Sequence, residues 1–164
     1  MRQGDLKNKA RVAIAGLAVS GALALVADFE GFSNKAYIPV KNDVATIGYG
    51  QTFYSDGRRV RLGDWISEKV AKNELKTIIE KKYLTRLKEC VKVPLSQGEF
   101  DAFLSLMYNI GDGAFCKSTL VKKLNSKDYA GACKEILRWK YAGGRVLRGL
   151  ELRRLKEFEI CMKQ

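Results

Sequence analysis

The chain has 164 residues, 46% apolar and 29% charged, with a formal net charge of +12. That length and balance describe one folded domain, or one with a small lobe, and they exclude a disordered chain. It contains no His, which removes every mechanism built on a His base along with the commonest metal ligand; neither a cofactor nor a metal is expected.

The excess of Lys and Arg points to an anionic partner: nucleic acid, a phospholipid surface or an acidic polymer. No nucleic-acid motif accompanies it and the lysines are spread over predicted helices, so no nucleic-acid partner is expected and a solvated basic surface is the simpler reading.

"MRQGDLKNKAR" places Arg2, Lys7, Lys9 and Arg11 ahead of "VAIAGLAVSGALALVA", the uncharged stretch from Val12 to Ala27. The stretch is apolar on all sides, unlike an amphipathic surface helix, and its positive flank predicts an N-terminus in the cytoplasm. Its 16 residues would reach only ~24 Å as a helix, short of a ~30 Å hydrocarbon core. Gly16, Ser20 and Gly21 add little transfer energy. Three readings compete: a weak, uncleaved anchor able to leave the bilayer, a signal peptide cleaved after Ala22-Leu23-Ala24, and a buried core helix. Cleavage after Ala24 would leave only five residues before Glu30, so the first reading is preferred. Residues 1–27 are then a signal-anchor segment and 28–164 the folded domain.

"EGFSNKAYIPVKNDVATIGYGQTFYSDGRRVRLGD" is dense in Gly, Asn, Asp and β-formers, with turn signals at Asn42-Asp43 and Asp56-Gly57. It predicts a small antiparallel sheet of two or three strands. Ser67 then caps a long helix through about Glu89, a bridge between two lobes. "PLSQGEF" opens the next helix with a Ser96/Glu99 capping box, and Phe100, Phe103, Leu104 and Met107 follow at i, i+3, i+4 and i+7. Gly111 and Gly113 end it. Shorter helices are expected from Ser118 to about Asn125, from Ser126 through Trp139 to a Gly143-Gly144 stop, and finally to Met162. The fold class is α+β, a small sheet lobe joined by a long helix to a mainly helical lobe. Cys90, Cys116, Cys133 and Cys161 are too widely spaced for a zinc knuckle or a CxxC site. They are core thiols or, given an export segment, two disulfides with three possible pairings.

"FEGFSNKAY", "TIGYGQT", "YNIGDGAFCKSTLVKKLN", "RWKYAGG" and "GLELRR", in this order, resemble the phage-type lysozymes of glycoside hydrolase family 24, over roughly Asp28 to the C-terminus. With the weak N-terminal anchor the chain resembles a signal-anchor-release endolysin. The resemblance implies a lysozyme-like fold and an enzyme that is tethered inactive at the host inner membrane through residues 12–27, then released into the periplasm to degrade the wall. The partner would be the glycan strands of peptidoglycan, and a monomer is expected. It also implies the pairings Cys90–Cys116 and Cys133–Cys161, each closing a loop of about 27 residues worth ~3–4 kcal/mol.

The family carries a catalytic Glu after its first helix, an Asp or Cys nine residues later and a Thr six beyond that. Glu30, in Glu30-Gly31, fits the first position, and Thr46, leading Ile47-Gly48-Tyr49-Gly50, fits the third. The middle position departs from the pattern: nine residues after Glu30 stands Pro39, and six before Thr46 stands Val40. Between Tyr37 and Thr46 the hairpin is one residue longer than the family's, and its only acid is Asp43. No Cys lies between Glu30 and Thr46, so the disulfide block that some relatives place there is not expected.

The carry-over makes chemical sense. Glycoside cleavage needs a protonated carboxyl to load the leaving oxygen, and usually a second carboxylate for the water or the cationic sugar. Glu30 is the candidate acid, Asp43 the candidate second carboxylate, and Thr46 a hydroxyl able to aim the water. Arg153 and Arg154 pair with Glu30 or are solvated; the sequence leaves both open. The implied activity is hydrolysis of the β-1,4 bond between N-acetylmuramic acid and N-acetylglucosamine. The alternatives are a lytic transglycosylase using Glu30 alone and a non-enzymatic, membrane-anchored wall-binding protein.

Overall fold

The computed structural model describes residues 10–163; the basic flank Arg2, Lys7 and Lys9 lies outside them. The elements run α1 (Ser20–Glu30), β1 (Ser33–Tyr37), β2 (Thr46–Gly48), α2 (Glu68–Ile78), a π-helical turn (Ile79–Leu84), α3 (Thr85–Cys90), α4 (Gln97–Ile110), α5 (Asp112–Cys116), α6 (Thr119–Asn125), α7 (Tyr129–Glu135), β3 (Tyr141–Ala142), β4 (Arg145–Val146) and α8 (Arg148–Met162). This is the expected α+β architecture. The small lobe is the antiparallel β1–β2 hairpin, with Ser33 opposite Gly48 and Tyr37 opposite Thr46. The segment from Asp64 to Ile66 lies along β1 through the Ala36 N–H on the Asp64 carbonyl and the Ile66 N–H on the Asn34 carbonyl.

Local chemistry sets most helix boundaries. The Ser67 hydroxyl accepts the Val70 N–H at 3.3 Å and starts α2. The helix runs on as expected through Glu89, but not as a uniform α-helix: the π turn widens it midway. In the capping box of α4, Ser96 Oγ accepts the Glu99 N–H and Glu99 Oε2 accepts the Ser96 N–H at 2.9 Å. Phe100, Phe103, Leu104, Leu106 and Met107 on α4 are all fully buried, so this helix is the axis of the helical lobe. It packs on α1 and α8.

Three expectations are corrected. The helix assigned to Ser126–Trp139 begins at Tyr129, because Lys127 takes a left-handed φ of 63° that no helix tolerates and the Asp128 carboxylate caps the Gly131 N–H at 2.9 Å. It passes into a 3₁₀ turn over Ile136–Arg138. Gly143-Gly144 is the turn of the β3–β4 hairpin, and Gly113 sits within α5. The disulfides are Cys90–Cys116 and Cys133–Cys161, with Cα atoms 5.5 and 5.7 Å apart.

Residues 12–27 lie against the body here. Val12 and Leu95 exchange two backbone hydrogen bonds at 2.9 and 3.0 Å, Ile14–Gly16 form a 3₁₀ turn, and Ala22, Leu25 and Val26 of α1 are buried. The boundary expected at residue 27 falls inside α1. Just upstream, the Arg11 guanidinium grips the fully buried Glu99, with contacts at 2.7 and 3.0 Å, and stacks 3.6 Å from the Tyr129 ring centroid. Among the described residues no helix is long and apolar enough to cross a membrane.

Candidate active site

Glu30 is the last residue of α1, and Gly31, at φ 68°, turns the chain away. Helix and turn together leave the carboxylate at the mouth of the cleft with its side chain 22% exposed. Arg153 of α8 donates to Glu30 Oε1 from Nη1 at 2.6 Å. On the opposite side the turn after β2 folds over the acid. A Cβ added at Gly50, whose φ is 81°, would lie 2.9 Å from Glu30 Oε2, so position 50 needs glycine both for conformation and for room. The Tyr108 hydroxyl of α4 donates to the Tyr49 carbonyl at 2.8 Å, tying this turn to the helical lobe. Burial, aided by the nearby Glu30 charge, pushes the Tyr108 phenol well above its ordinary value, so it remains a neutral donor.

Behind Glu30 runs a seam of buried charge. Arg153 Nε reaches Glu157 Oε1 at 3.3 Å, and its guanidinium sits 4.8 Å from the Phe29 ring centroid. Glu157 also accepts the Ser105 hydroxyl at 2.7 Å and ion-pairs with Arg154 at 3.1 Å. Arg154 in turn donates to Asn109 Oδ1 at 2.7 Å. Burial pulls the Arg154 guanidinium down to about 10 and pushes the Glu157 carboxyl up. Their mutual attraction opposes both shifts.

The other two candidates meet at a single residue, Val44. Asp43 closes an exposed turn, its N–H bonded to the Val40 carbonyl at 3.0 Å with Asn42 at φ 68°. Its carboxylate accepts the Val44 N–H at 2.8 Å. Thr46 is buried at the start of β2, and its hydroxyl donates to the Val44 carbonyl at 3.3 Å. Glu30 is thus bound to the helical lobe while Asp43 and Thr46 are bound to the hairpin. Two hollows flank Glu30. One of about 340 Å³ is lined by Glu30, Gly31, Phe32, Ser33 and Tyr37. The other, about 460 Å³, runs between the lobes past Gly50, Phe53, Lys81, Tyr83 and Tyr108. Among the described residues no group of three His, Cys, Asp or Glu side chains is arranged to hold a metal.

The Phage lysozyme family model matches residues 27–157. The chain belongs to the phage lysozyme family. It is 34% identical to the SAR-endolysin of Enterobacteria phage P21, over 96% of each chain. Among solved structures, the endolysin of Escherichia coli O157:H7 phage FAHEc1 superposes with a TM-score of 0.79 at 30% identity, over 94% of this chain and 96% of that one. A mutant of P22 lysozyme gives 0.76 at 33% identity, over 88% and 97%. This phage lysozyme is accordingly a glycoside hydrolase of the muramidase type.

Of the two arginines left open by the sequence, Arg153 pairs with Glu30 and Arg154 with Glu157. Glu157, Ser105 and Tyr108 were not anticipated. The available signal was the spacing of Arg153 and Glu157, four apart on one helix face. A charged face is ordinarily read as solvated, and here it is turned inward.

Proposed function

We propose that this phage lysozyme hydrolyses the β-1,4 bond between N-acetylmuramic acid and N-acetylglucosamine in peptidoglycan, with Glu30 as the general acid. The observation that carries the reading is Glu30 at the mouth of a cleft, braced by Arg153 at 2.6 Å and overlain by the Gly50 turn. Glu30 gives its proton to the leaving glycosidic oxygen as the sugar gains cationic character. In this reading the Asp43 carboxylate stabilises that charge, and the Thr46 hydroxyl aims the attacking water from the hairpin. The test is Glu30→Gln, which keeps the shape and removes the proton: turnover of purified sacculi should fall at least about a hundredfold with unchanged circular dichroism. A wall-binding protein without catalysis would keep its effect.

One observation favours a second reading. Asp43 is exposed and its carboxylate already caps the next peptide, which suits a lytic transglycosylase where Glu30 makes both proton transfers and the sugar's own hydroxyl closes an anhydro ring. Mass spectrometry of the digest separates the two, because anhydro-muramyl ends lack one water relative to reducing ends.

The same reading holds that the chain acts as a monomer, tethered at the host inner membrane through residues 12–27 and then released to the periplasm. Its support is the similarity to a SAR-endolysin and the character of the segment, which has a place on the folded body as well as an apolar composition. Gly16 and Ser20 are exposed on that body, whereas a Cβ at Gly21 would lie 2.1 Å from Asp101. Replacing Gly16 and Ser20 with Leu therefore raises membrane affinity while leaving the α1–α4 contact intact. That variant should stay in the membrane fraction and fail to lyse cells, while wild type moves at full length to the soluble periplasmic fraction. Recovery of a soluble form shortened by its first two dozen residues would make the segment a cleaved signal.

A further inference from the structure

The helix joining the lobes changes pitch as it passes the cleft. Its π turn, Ile79–Leu84, carries an extra residue per hydrogen-bonded ring, and Lys81, Lys82 and Tyr83 all line the inter-lobe groove. Across the floor, the Tyr83 and Tyr108 rings lie 5.2 Å apart, tilted by 53°, giving an apolar wall on which a sugar face can rest. Tyr108 ties the groove to the Glu30 turn through its bond to Tyr49.

The groove lining holds two lysines and neither Asp nor Glu. Other cations of the same helical stretch are neutralised locally: Lys72 by Glu68 at 3.2 Å and Arg86 by Asp112 at 3.0 Å. Lys82 reaches Asp112 only at 4.0 Å, and among the described residues Lys81 has no carboxylate within ion-pair range. Two positive charges without close counterions, set beside tyrosine rings in a hollow of about 460 Å³, suit a saccharide bearing a carboxylate.

We propose that Lys81 and Lys82 recognise carboxylates on the glycan strand, which makes the inter-lobe groove a specificity subsite for acid-bearing glycan. The proposal rests on the muramidase reading above. Two sources of this chemistry exist on peptidoglycan: the acidic residues of the stem peptide and, wherever no peptide is attached, the lactyl carboxylate of the muramic acid, which a peptide otherwise ties up as an amide. Exposed ion pairs of this kind are individually weak and salt-sensitive, so the lysines act on binding and leave the chemical step alone.

The test measures binding in a Glu30→Gln background, by sedimentation with purified sacculi at low salt. Adding Lys81→Gln and Lys82→Gln should weaken binding about fivefold. On sacculi whose carboxylates have been amidated with carbodiimide, the two proteins should bind alike. A charge-matched control, Lys134→Gln with Lys156→Gln, both exposed and off the groove, should lose far less on native sacculi. Stripping the peptides with an amidase removes their acids and frees the lactyl carboxylates, which assigns the source: a deficit that vanishes comes from the peptide acids, and one that persists or grows shows that the lysines read the lactyl carboxylate. The proposal is overturned by equal binding to native sacculi, by the same deficit on amidated sacculi, or by the same deficit in the control. Retained cleavage by Glu30→Gln, read as released reducing ends, would instead strike the proposed catalysis, and the lysine comparison at equal sacculus mass would still stand.

Discussion

On the helical side of the cleft, Glu30 leans on a seam in which Arg153, Arg154, Glu157 and Ser105 are all buried and hold one another through ion pairs and hydrogen bonds of 2.6 to 3.3 Å. On the hairpin side, Asp43 stands on an exposed turn and its carboxylate reaches no further than the next peptide. Under the catalysis proposed above, with Glu30 as acid and Asp43 as second carboxylate, the difference teaches how the cleft would divide its work. The proton donor needs a fixed orientation, and buried charge with few alternative partners supplies it at a cost in desolvation. A group that stabilises charge or water across a polysaccharide needs access, and a short turn supplies that without contributing much to stability.

The largest effect should come from breaking the seam. Glu157→Ala leaves the buried Arg154 without a carboxylate and Arg153 with Glu30 alone, and should cost about 3–5 kcal/mol in urea unfolding, whereas Glu157→Gln, which can still accept from Ser105, should cost less. Next comes the covalent support of α8. Replacing Cys133 and Cys161 together with Ser should cost about 3 kcal/mol by the same measurement, without altering the chemical step. Asp43→Asn sharpens the contrast from the other side: turnover should fall about a hundredfold, while unfolding shifts by no more than about 0.5 kcal/mol, since a turn accepts Asn. A variant that lyses walls at the wild-type rate would leave Asp43 as a turn residue only.

The smallest effect probes a peripheral pair against the central seam. Glu135 is held below its ordinary value by Lys123, at 2.7 Å, and by Arg138. A carboxylate lowered in the folded state adds stability that is fully present above the unfolded value near 4.5 and is lost as the pH falls through the folded value. Stability measured below pH ~4.5 should therefore decline with a slope that Lys123→Gln reduces.

Where a boundary is set by neighbouring residues, the sequence displays it. Ser67, Ser96 with Glu99 and Ser118 each begin a helix as expected, because a hydroxyl capping an amide three residues on is a local event. The start of α1 is hidden for the opposite reason. Val19 offers no side-chain cap; instead Gln97 accepts the Ala18 N–H and donates to the Ala18 carbonyl, and Asp101 accepts from the Ala22 N–H. Both lie about eighty positions downstream, where no local pattern can announce them. The same holds at the site. Glu30 and Thr46 stand out through the short motifs around them, while the pairing of Arg153 with Glu30 spans 123 residues and joins a helix whose charges look like surface. The start of α7 is likewise hidden, since a left-handed Lys127 carries no compositional mark.

The reciprocal Val12–Leu95 pair carries one further consequence. Each amide finds its acceptor on the other segment, at 2.9 and 3.0 Å, so neither is shielded until the N-terminal strap has docked. Closing so long a chain segment is entropically slow compared with forming the helices it covers. Hydrogen–deuterium exchange at these two amides is therefore a clock for that docking. During refolding they should become protected after the amides of α4, and in the native ensemble their opening should expose the strap without melting the helical lobe.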